Sequence, residues 1–101
     1  MHRYLRIEEV LAELQVDRTF LEQLEGEGLI HPKRTLEGET VLSWEEVERV
    51  RLARVLVYEL EVNLPGVEVV VHMREEMLAM REQFAEILER LVAELRRQLQ
   101  K

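Results

Sequence analysis

The residues best suited to binding chemistry are glutamates that recur along one short segment, residues 17–30. The segment carries one arginine, Arg18, and three glutamates: Glu22, Glu25 and Glu27. Carboxylates three residues apart share one face of a helix, where they attract cations and repel phosphates. We therefore expect this segment to bind a basic partner and to be unsuited to nucleic acid. The alternative is that another face of the protein supplies the positive charge that DNA needs.

The inventory of side chains argues against an enzyme. The chain has one Ser, one Asp, one Asn and no Cys, and it has no Gly-rich phosphate loop. No nucleophile and base can be paired from this set, and the spread of His2, His31 and His72 lacks metal-ligand spacing. We predict no catalytic residues, no metal site and no cofactor.

Composition bounds the class of protein. The 101 residues suit one small domain with an appendage, and 47% hydrophobic with 35% charged residues is typical of a helix-rich globular chain. The net charge of −7 opposes attraction to DNA or anionic lipid. No stretch approaches the roughly 20 apolar residues of a membrane span, and the first residues contain no apolar signal-peptide core. We expect a cytoplasmic location.

Periodicity and capping signals predict a helix-turn-helix at the start of the chain. The first helix is indicated by apolar residues at helical spacing, from Ile7 to Leu14. Asp17 is a suitable N-cap for a second helix, and Gly28 is the expected residue just after its end, where a positive φ is needed. The acidic segment therefore forms the second helix of this pair.

A hairpin, or wing, and a third helix follow. The wing is predicted to turn near Gly38, and Ser43 with Glu46 has the spacing of a capping box that begins the third helix. This helix is apolar around much of its circumference, so we expect it to form the centre of the core. Its apolar residues are Val47, Val50, Leu52, Ala53, Val55, Leu56 and Leu60.

The last third of the chain is a candidate coiled coil. Pro65 suits the first turn of a helix, and a continuous helix from there to the end is about 55 Å long at ~1.5 Å per residue. We predict a homodimer through its apolar stripe; folding back on its own domain is the alternative. Oligomer size, helix orientation and continuity stay open. The stripe consists of Met73, Met77, Met80, Phe84, Ile87, Leu91 and Leu95, with Leu88, Val92 and Leu99 on an adjacent track.

These features together resemble a known family. The helix-turn-helix, the wing, the capped third helix and the stretch Asn63–Val67 are similar to a MerR-type winged helix-turn-helix followed by a coiled coil. The resemblance implies a mainly α fold, with a winged domain over residues 1–64 and a C-terminal oligomerisation helix over residues 65–101. Within that superfamily the same stretch resembles the chaperone modulatory CbpM family and, more distantly, the heat-shock repressor HspR.

Two departures from the DNA-binding pattern favour the CbpM family. DNA-binding members usually carry Leu-Arg-Tyr-Tyr-Glu where this chain has residues 21–25, so Glu22 stands in the place of an arginine. Their wing usually reads Gly-Tyr-Arg-Leu-Tyr, where this chain has residues 38–42 without an arginine. A lost phosphate contact weakens DNA binding, and a reversed charge adds repulsion.

The CbpM resemblance implies a partner, the J-domain of a DnaJ-like or CbpA-like co-chaperone. An acidic binder on the basic helix of a J-domain would compete with Hsp70 (DnaK) and inhibit its stimulation. The expected contacts are Glu22, Glu25 and Glu27, with Glu37 and Glu39 of the wing as a second group. A DNA-binding heat-shock repressor and a coiled-coil adaptor in a chaperone assembly are the alternatives. The particular co-chaperone, the sign of regulation and any residual DNA binding stay open.

Overall fold

A computed structural model of the chain describes residues 3–100, which fold mainly as α-helix. The chain divides into two compact units, residues 1–71 and residues 72–101. In chain order the elements are β1 (Tyr4–Arg6), α1 (Ile7–Leu14), α2 (Arg18–Gly26), β2 (Lys33–Arg34), β3 (Thr40–Ser43), α3 (Trp44–Arg54), a π-helix (Val55–Glu59) and α4 (Leu64–Leu99).

The predicted helix-turn-helix is confirmed, together with its caps. The side chain of Asp17 accepts a hydrogen bond from the Phe20 amide at 2.8 Å, which satisfies a donor at the start of α2. Gly28 has a φ of 76°, and the next amide, of Leu29, returns to the Leu24 carbonyl at 3.0 Å. This closure directs the chain from α2 back into the core.

The wing is part of a three-stranded antiparallel sheet with the order β1-β3-β2. β3 pairs with β2 through Val41 and Thr40, as the predicted hairpin requires. β1 was not predicted, because a strand of three residues is too short to show an alternating pattern. Its Leu5 lies opposite Leu42, which is fully buried, so β1 ties the start of the chain to the core.

The wing loop depends on Gly38, and this gives a first prediction. Gly38 has a φ of 86°, whereas Gly26 lies in α2, and a Cβ added to either would meet no atom within 4 Å. The two glycines therefore differ in backbone conformation and not in the space available for a side chain. Gly38→Ala should lower the free energy of unfolding by about 1 kcal/mol, and Gly26→Ala should raise it by roughly 0.5–1 kcal/mol. Urea unfolding of both variants checks this, and equal effects would contradict it.

The core of the first unit lies between α1, α2, α3, the sheet and the start of α4. Val67 and Val71, in the first turns of α4, are buried with this core. The compact division therefore comes after Val71, whereas the sequence placed a boundary after residue 64. The largest fully buried side chains are those of Val10, Leu24, Ile30, Leu42, Val47, Val50 and Val67.

The third helix departs from its predicted course near its end. Val47, Val50, Ala53 and Leu56 are buried as expected, but α-helical geometry ends at Arg54 and a π-helix follows. A π-helix holds more residues per turn, so it rotates later side chains away from the expected face. The prediction that Leu60 faces the core was wrong, since that side chain is 63% exposed.

α4 is continuous from Leu64 to Leu99, which resolves the question of continuity. Its first turn is capped by the Asn63 Oδ1, which accepts the Gly66 amide at 2.9 Å. Residues 67–71 are helical, as their spacing predicted, despite their β-branched side chains. No helix within residues 3–100 is long and apolar enough to cross a membrane.

Candidate functional site: an acidic cleft between α2 and the wing

Two of the predicted contact residues, Glu22 and Glu25, line one cleft in the first unit. The cleft has a volume of about 250 Å³ and lies between the exposed face of α2 and the base of the wing. Ile7 and Leu21, both buried, give it an apolar floor. Its lining consists of Ile7, Arg18, Leu21, Glu22, Glu25, Pro32 and Thr40.

The cleft carries net negative charge. Glu22 and Glu25 are both exposed on α2, one helical turn apart. The one cation of the lining, Arg18, also faces Glu8 of α1, with 3.8 Å between its guanidinium and that carboxylate. The cleft therefore combines carboxylates at its rim with an apolar floor, which suits the charged head and the apolar stem of a lysine or arginine.

The other predicted contact residues lie outside this lining. Glu27 is half-buried at the C-cap of α2, where its amide bonds the Gln23 carbonyl at 3.1 Å. Glu37 and Glu39 are exposed in the loop between β2 and β3. The structure thus brings Glu22 and Glu25 together and places the other three at the end of α2 or on the wing.

Glu39 already faces a cation, Arg6. The Arg6 guanidinium lies 4.0 Å from a Glu39 carboxylate oxygen and donates a hydrogen bond of 2.9 Å to Glu9. The bond from Arg6 holds the pKa of Glu9 below its usual value. A partner that uses Glu39 would therefore compete with Arg6.

The base of the wing is held by side chains of α3. The two carboxylate oxygens of Glu46 accept from the Ser43 amide at 3.1 Å and from the His31 amide at 2.5 Å. The Ser43 hydroxyl accepts the Glu46 amide, so the predicted capping box is confirmed. Arg49 donates to the Leu29 carbonyl at 2.9 Å. These bonds fix residues 29–31, and thereby the position of Pro32 in the cleft.

Removing the Glu46 carboxylate tests whether its hydrogen bonds hold the base of the wing. Glu46→Ala leaves the Ser43 and His31 amides without their acceptor, so it should lower the free energy of unfolding by about 2 kcal/mol. Glu45→Ala is the matched control, because it removes an exposed carboxylate from the same first turn. It should cost about 0.5 kcal/mol or less. If urea unfolding shows that both variants lower the free energy of unfolding by a similar amount, this role of Glu46 is contradicted.

Sequence reasoning did not identify the rest of the cleft. Arg18 had a usable signal, because its spacing from Glu22 and Glu25 places all three on one face of α2. Pro32 and Thr40 had none, since only the folded wing brings them to α2. Arg49 had none either, since its hydrogen bond reaches a backbone carbonyl twenty residues earlier in the chain.

The predicted oligomerisation residues form an exposed stripe on α4. Met73, Met77, Met80, Phe84, Ile87, Leu91 and Leu95 are each between 53% and 66% exposed. Most of the stripe, with Leu88 and Leu99 added, repeats every eleven residues: Met73, Phe84 and Leu95; Met77, Leu88 and Leu99; Met80 and Leu91. An eleven-residue repeat corresponds to about 3.67 residues per turn, close to a straight helix. This pattern joins the two tracks of the sequence into one stripe.

Within residues 3–100, no group of three or more His, Asp and Glu side chains could hold a metal ion.

Comparison with known proteins supports the same architecture. Residues 5–97 match the MerR_2 family, described as MerR HTH family regulatory protein. The chain has no significant match among curated proteins. The family match spans the helix-turn-helix, the wing and most of α4, and it is to a regulatory family rather than to a family of enzymes. The chain therefore belongs to the MerR HTH family of regulatory proteins.

Proposed function

We propose that this chain is a chaperone modulator, which binds the J-domain of a DnaJ-like or CbpA-like co-chaperone and inhibits its stimulation of Hsp70. The observation that carries the proposal is the cleft between α2 and the wing, where a DNA-reading member of the family needs cations. Here Glu22 stands in the place of an arginine, and Glu25, which matches the glutamate of the DNA-binding pattern, adds a second carboxylate to the same face. A phosphate backbone would be repelled there, whereas a basic protein helix would be attracted.

The two properties of the cleft have separate roles in such binding. The carboxylates speed the encounter with a basic surface and fix its orientation, which makes association sensitive to salt. The floor formed by Ile7, Leu21 and Pro32 contacts the apolar stems of the incoming basic side chains. Affinity then comes chiefly from burial of apolar surface.

The stretch over residues 63–67 resembles both the CbpM family and HspR. The choice of a J-domain as the partner therefore rests on the two arginines of the DNA-binding pattern that this chain lacks, one replaced by Glu22 and one absent from the wing. J-domains present a basic helix to Hsp70. A chain that covers this helix excludes Hsp70, so the ATPase of Hsp70 is no longer stimulated.

We also propose that the chain is a homodimer through α4. The stripe from Met73 to Leu99 is exposed along the helix. Apolar patches of this extent on a folded protein mark interaction sites. An identical helix offers a matching repeat, so a second copy is the occupant that the pattern fits.

A DNA-binding repressor is the second candidate. The family match is consistent with it, and Lys33 and Arg34 are exposed on the edge strand β2. Such a protein would have to approach DNA through the wing while keeping Glu22 and Glu25 away from phosphates. Tight duplex binding that weakens steeply with salt is the result this candidate requires.

The experiment that tests the proposal is a titration of the chain with an isolated J-domain at low and high salt, with duplex DNA as a parallel titrant. We expect saturable J-domain binding that weakens with salt, no DNA binding, and reduced J-domain-stimulated ATPase activity of Hsp70. Binding to DNA without binding to the J-domain would overturn the proposal in favour of the repressor.

A further inference from the structure

The loop at the tip of the wing carries a leucine that is not part of the hydrophobic core. The side chain of Leu36 is fully exposed, with a relative exposure of 105%, and it is absent from the core cluster. Single exposed leucines are common on protein surfaces. Leu36 differs from an ordinary case because a closed turn fixes its position.

The turn that carries Leu36 is rigid. The Gly38 amide bonds the Thr35 carbonyl at 2.9 Å, and the Thr35 amide bonds the Glu39 carbonyl at 2.8 Å. The Thr35 hydroxyl accepts the Glu39 amide at 3.2 Å. This three-residue loop needs a glycine at Gly38 but accepts most residues at position 36. Turn formation therefore gives no reason for a leucine there.

We infer that Leu36 is an apolar anchor for the partner of the acidic cleft, inserted into a depression on a basic protein surface. The inference rests on the proposed function and names an apolar contact that the charges alone do not supply. Because the turn is already ordered, binding costs little backbone entropy. A leucine at the tip of a fixed loop is thus placed to contribute affinity.

The position of the anchor fits the cleft. Leu36 is four residues from Thr40, which lines the cleft, and a hairpin strand spans ~3.3 Å per residue, so the tip lies within about 13 Å of it. A typical interface, of about 800 Å² per partner, is wide enough to include both. Glu37 is adjacent to the anchor and Glu39 is three residues away, so the tip loop adds two carboxylates to those of the cleft, while the exposed Lys33 and Arg34 lie on β2.

The same leucine has one competing use. Apolar side chains on wings or arms are inserted between base steps in the minor groove of DNA. Glu37 and Glu39 would then approach phosphates, which they repel. These two carboxylates oppose insertion into DNA, although Lys33 and Arg34 of β2 are exposed on the same wing.

The test compares Leu36→Ala with Leu60→Ala, a second exposed leucine of the first unit, in titrations with an isolated J-domain. Leu36→Ala should weaken binding by about tenfold to thirtyfold while the control does not change it. If the wild type binds and Leu36→Ala binds equally well, the anchor is overturned and the proposed function stands. If the wild type fails to bind the J-domain, both are overturned. Duplex DNA binding that Leu36→Ala weakens would assign the leucine to nucleic acid instead.

Discussion

Reversing the charge of Glu22 and Glu25 together should weaken J-domain binding about a hundredfold, which corresponds to about 2.7 kcal/mol. Both side chains lie at the rim of the cleft, so Glu22→Lys/Glu25→Lys replaces attraction by repulsion at two neighbouring points. Each close charge pair at a protein interface contributes on the order of 1–2 kcal/mol or more. Most of the difference in affinity between the variant and the wild type should disappear at high salt, because salt screens these exposed charges.

The control for this variant changes the net charge equally at another place. Glu13 on α1 and Glu59 in the π-helix are exposed and lie outside the cleft lining. Glu13→Lys/Glu59→Lys should therefore lower the association rate slightly and leave the dissociation rate nearly unchanged. Equal weakening by both double variants would show that the overall charge of −7, and not the cleft, attracts the partner.

Glu22→Lys/Glu25→Lys should change DNA affinity and J-domain affinity in different directions for the two candidate functions. If α2 faces DNA, two added lysines should strengthen duplex binding, because they create phosphate contacts where the wild type has repulsion. If α2 faces a J-domain, the variant should lose its partner and gain only weak, non-specific attraction to DNA. Circular dichroism should show an intact fold in either case, since both residues are exposed.

Local signals in the sequence predicted the helices of the first unit and their order. The caps at Asp17 and Ser43 and the positive φ of Gly28 and Gly38 depend on residues within a few positions of one another. Such local interactions can be predicted from the sequence alone. β1 and the π-helix could not be predicted in this way: β1 is too short to show an alternating pattern, and the π-helix changes the number of residues per turn on which helical periodicity depends.

The candidate site shows the same limit. The acidic face of α2 follows from the spacing of Glu22 and Glu25, but the cleft exists only because the wing places Pro32 and Thr40 beside that face. The Glu46 and Arg49 bonds that hold the wing span fifteen and twenty residues. Leu36 had a partial signal, because the turn predicted near Gly38 places it in the loop, but its full exposure is seen only in the structure.

The second large effect should come from a charge in the middle of the α4 stripe. Phe84→Glu should raise the dissociation constant of the dimer at least about a hundredfold, because each dimer would bury two unpaired carboxylates. Ala93→Glu is the control: nine residues at ~100° each place it on the opposite face of α4. Sedimentation equilibrium over a range of concentrations measures both. A wild-type chain that is monomeric throughout would overturn the dimer.

A further pair of variants identifies the packing of the two helices. Ile87 continues the seven-residue track from Met80, whereas Leu88 aligns with Met77 and Leu99 in the eleven-residue repeat. These neighbours are both partly exposed, at 53% and 45%. Leu88→Glu should therefore weaken the dimer more than Ile87→Glu if the helices pair nearly straight. The reverse order would favour a left-handed heptad coiled coil.

The monomeric variant also separates the binding module from a structural adaptor. The cleft lies wholly within the first unit, and Phe84 lies in the second. Phe84→Glu should therefore keep its J-domain affinity per chain, while Glu22→Lys/Glu25→Lys should lose that affinity and still form dimers. An adaptor that binds its partner through α4 predicts that Phe84→Glu loses partner affinity and that Glu22→Lys/Glu25→Lys keeps it. The two variants together therefore show whether the partner binds at the cleft or at α4.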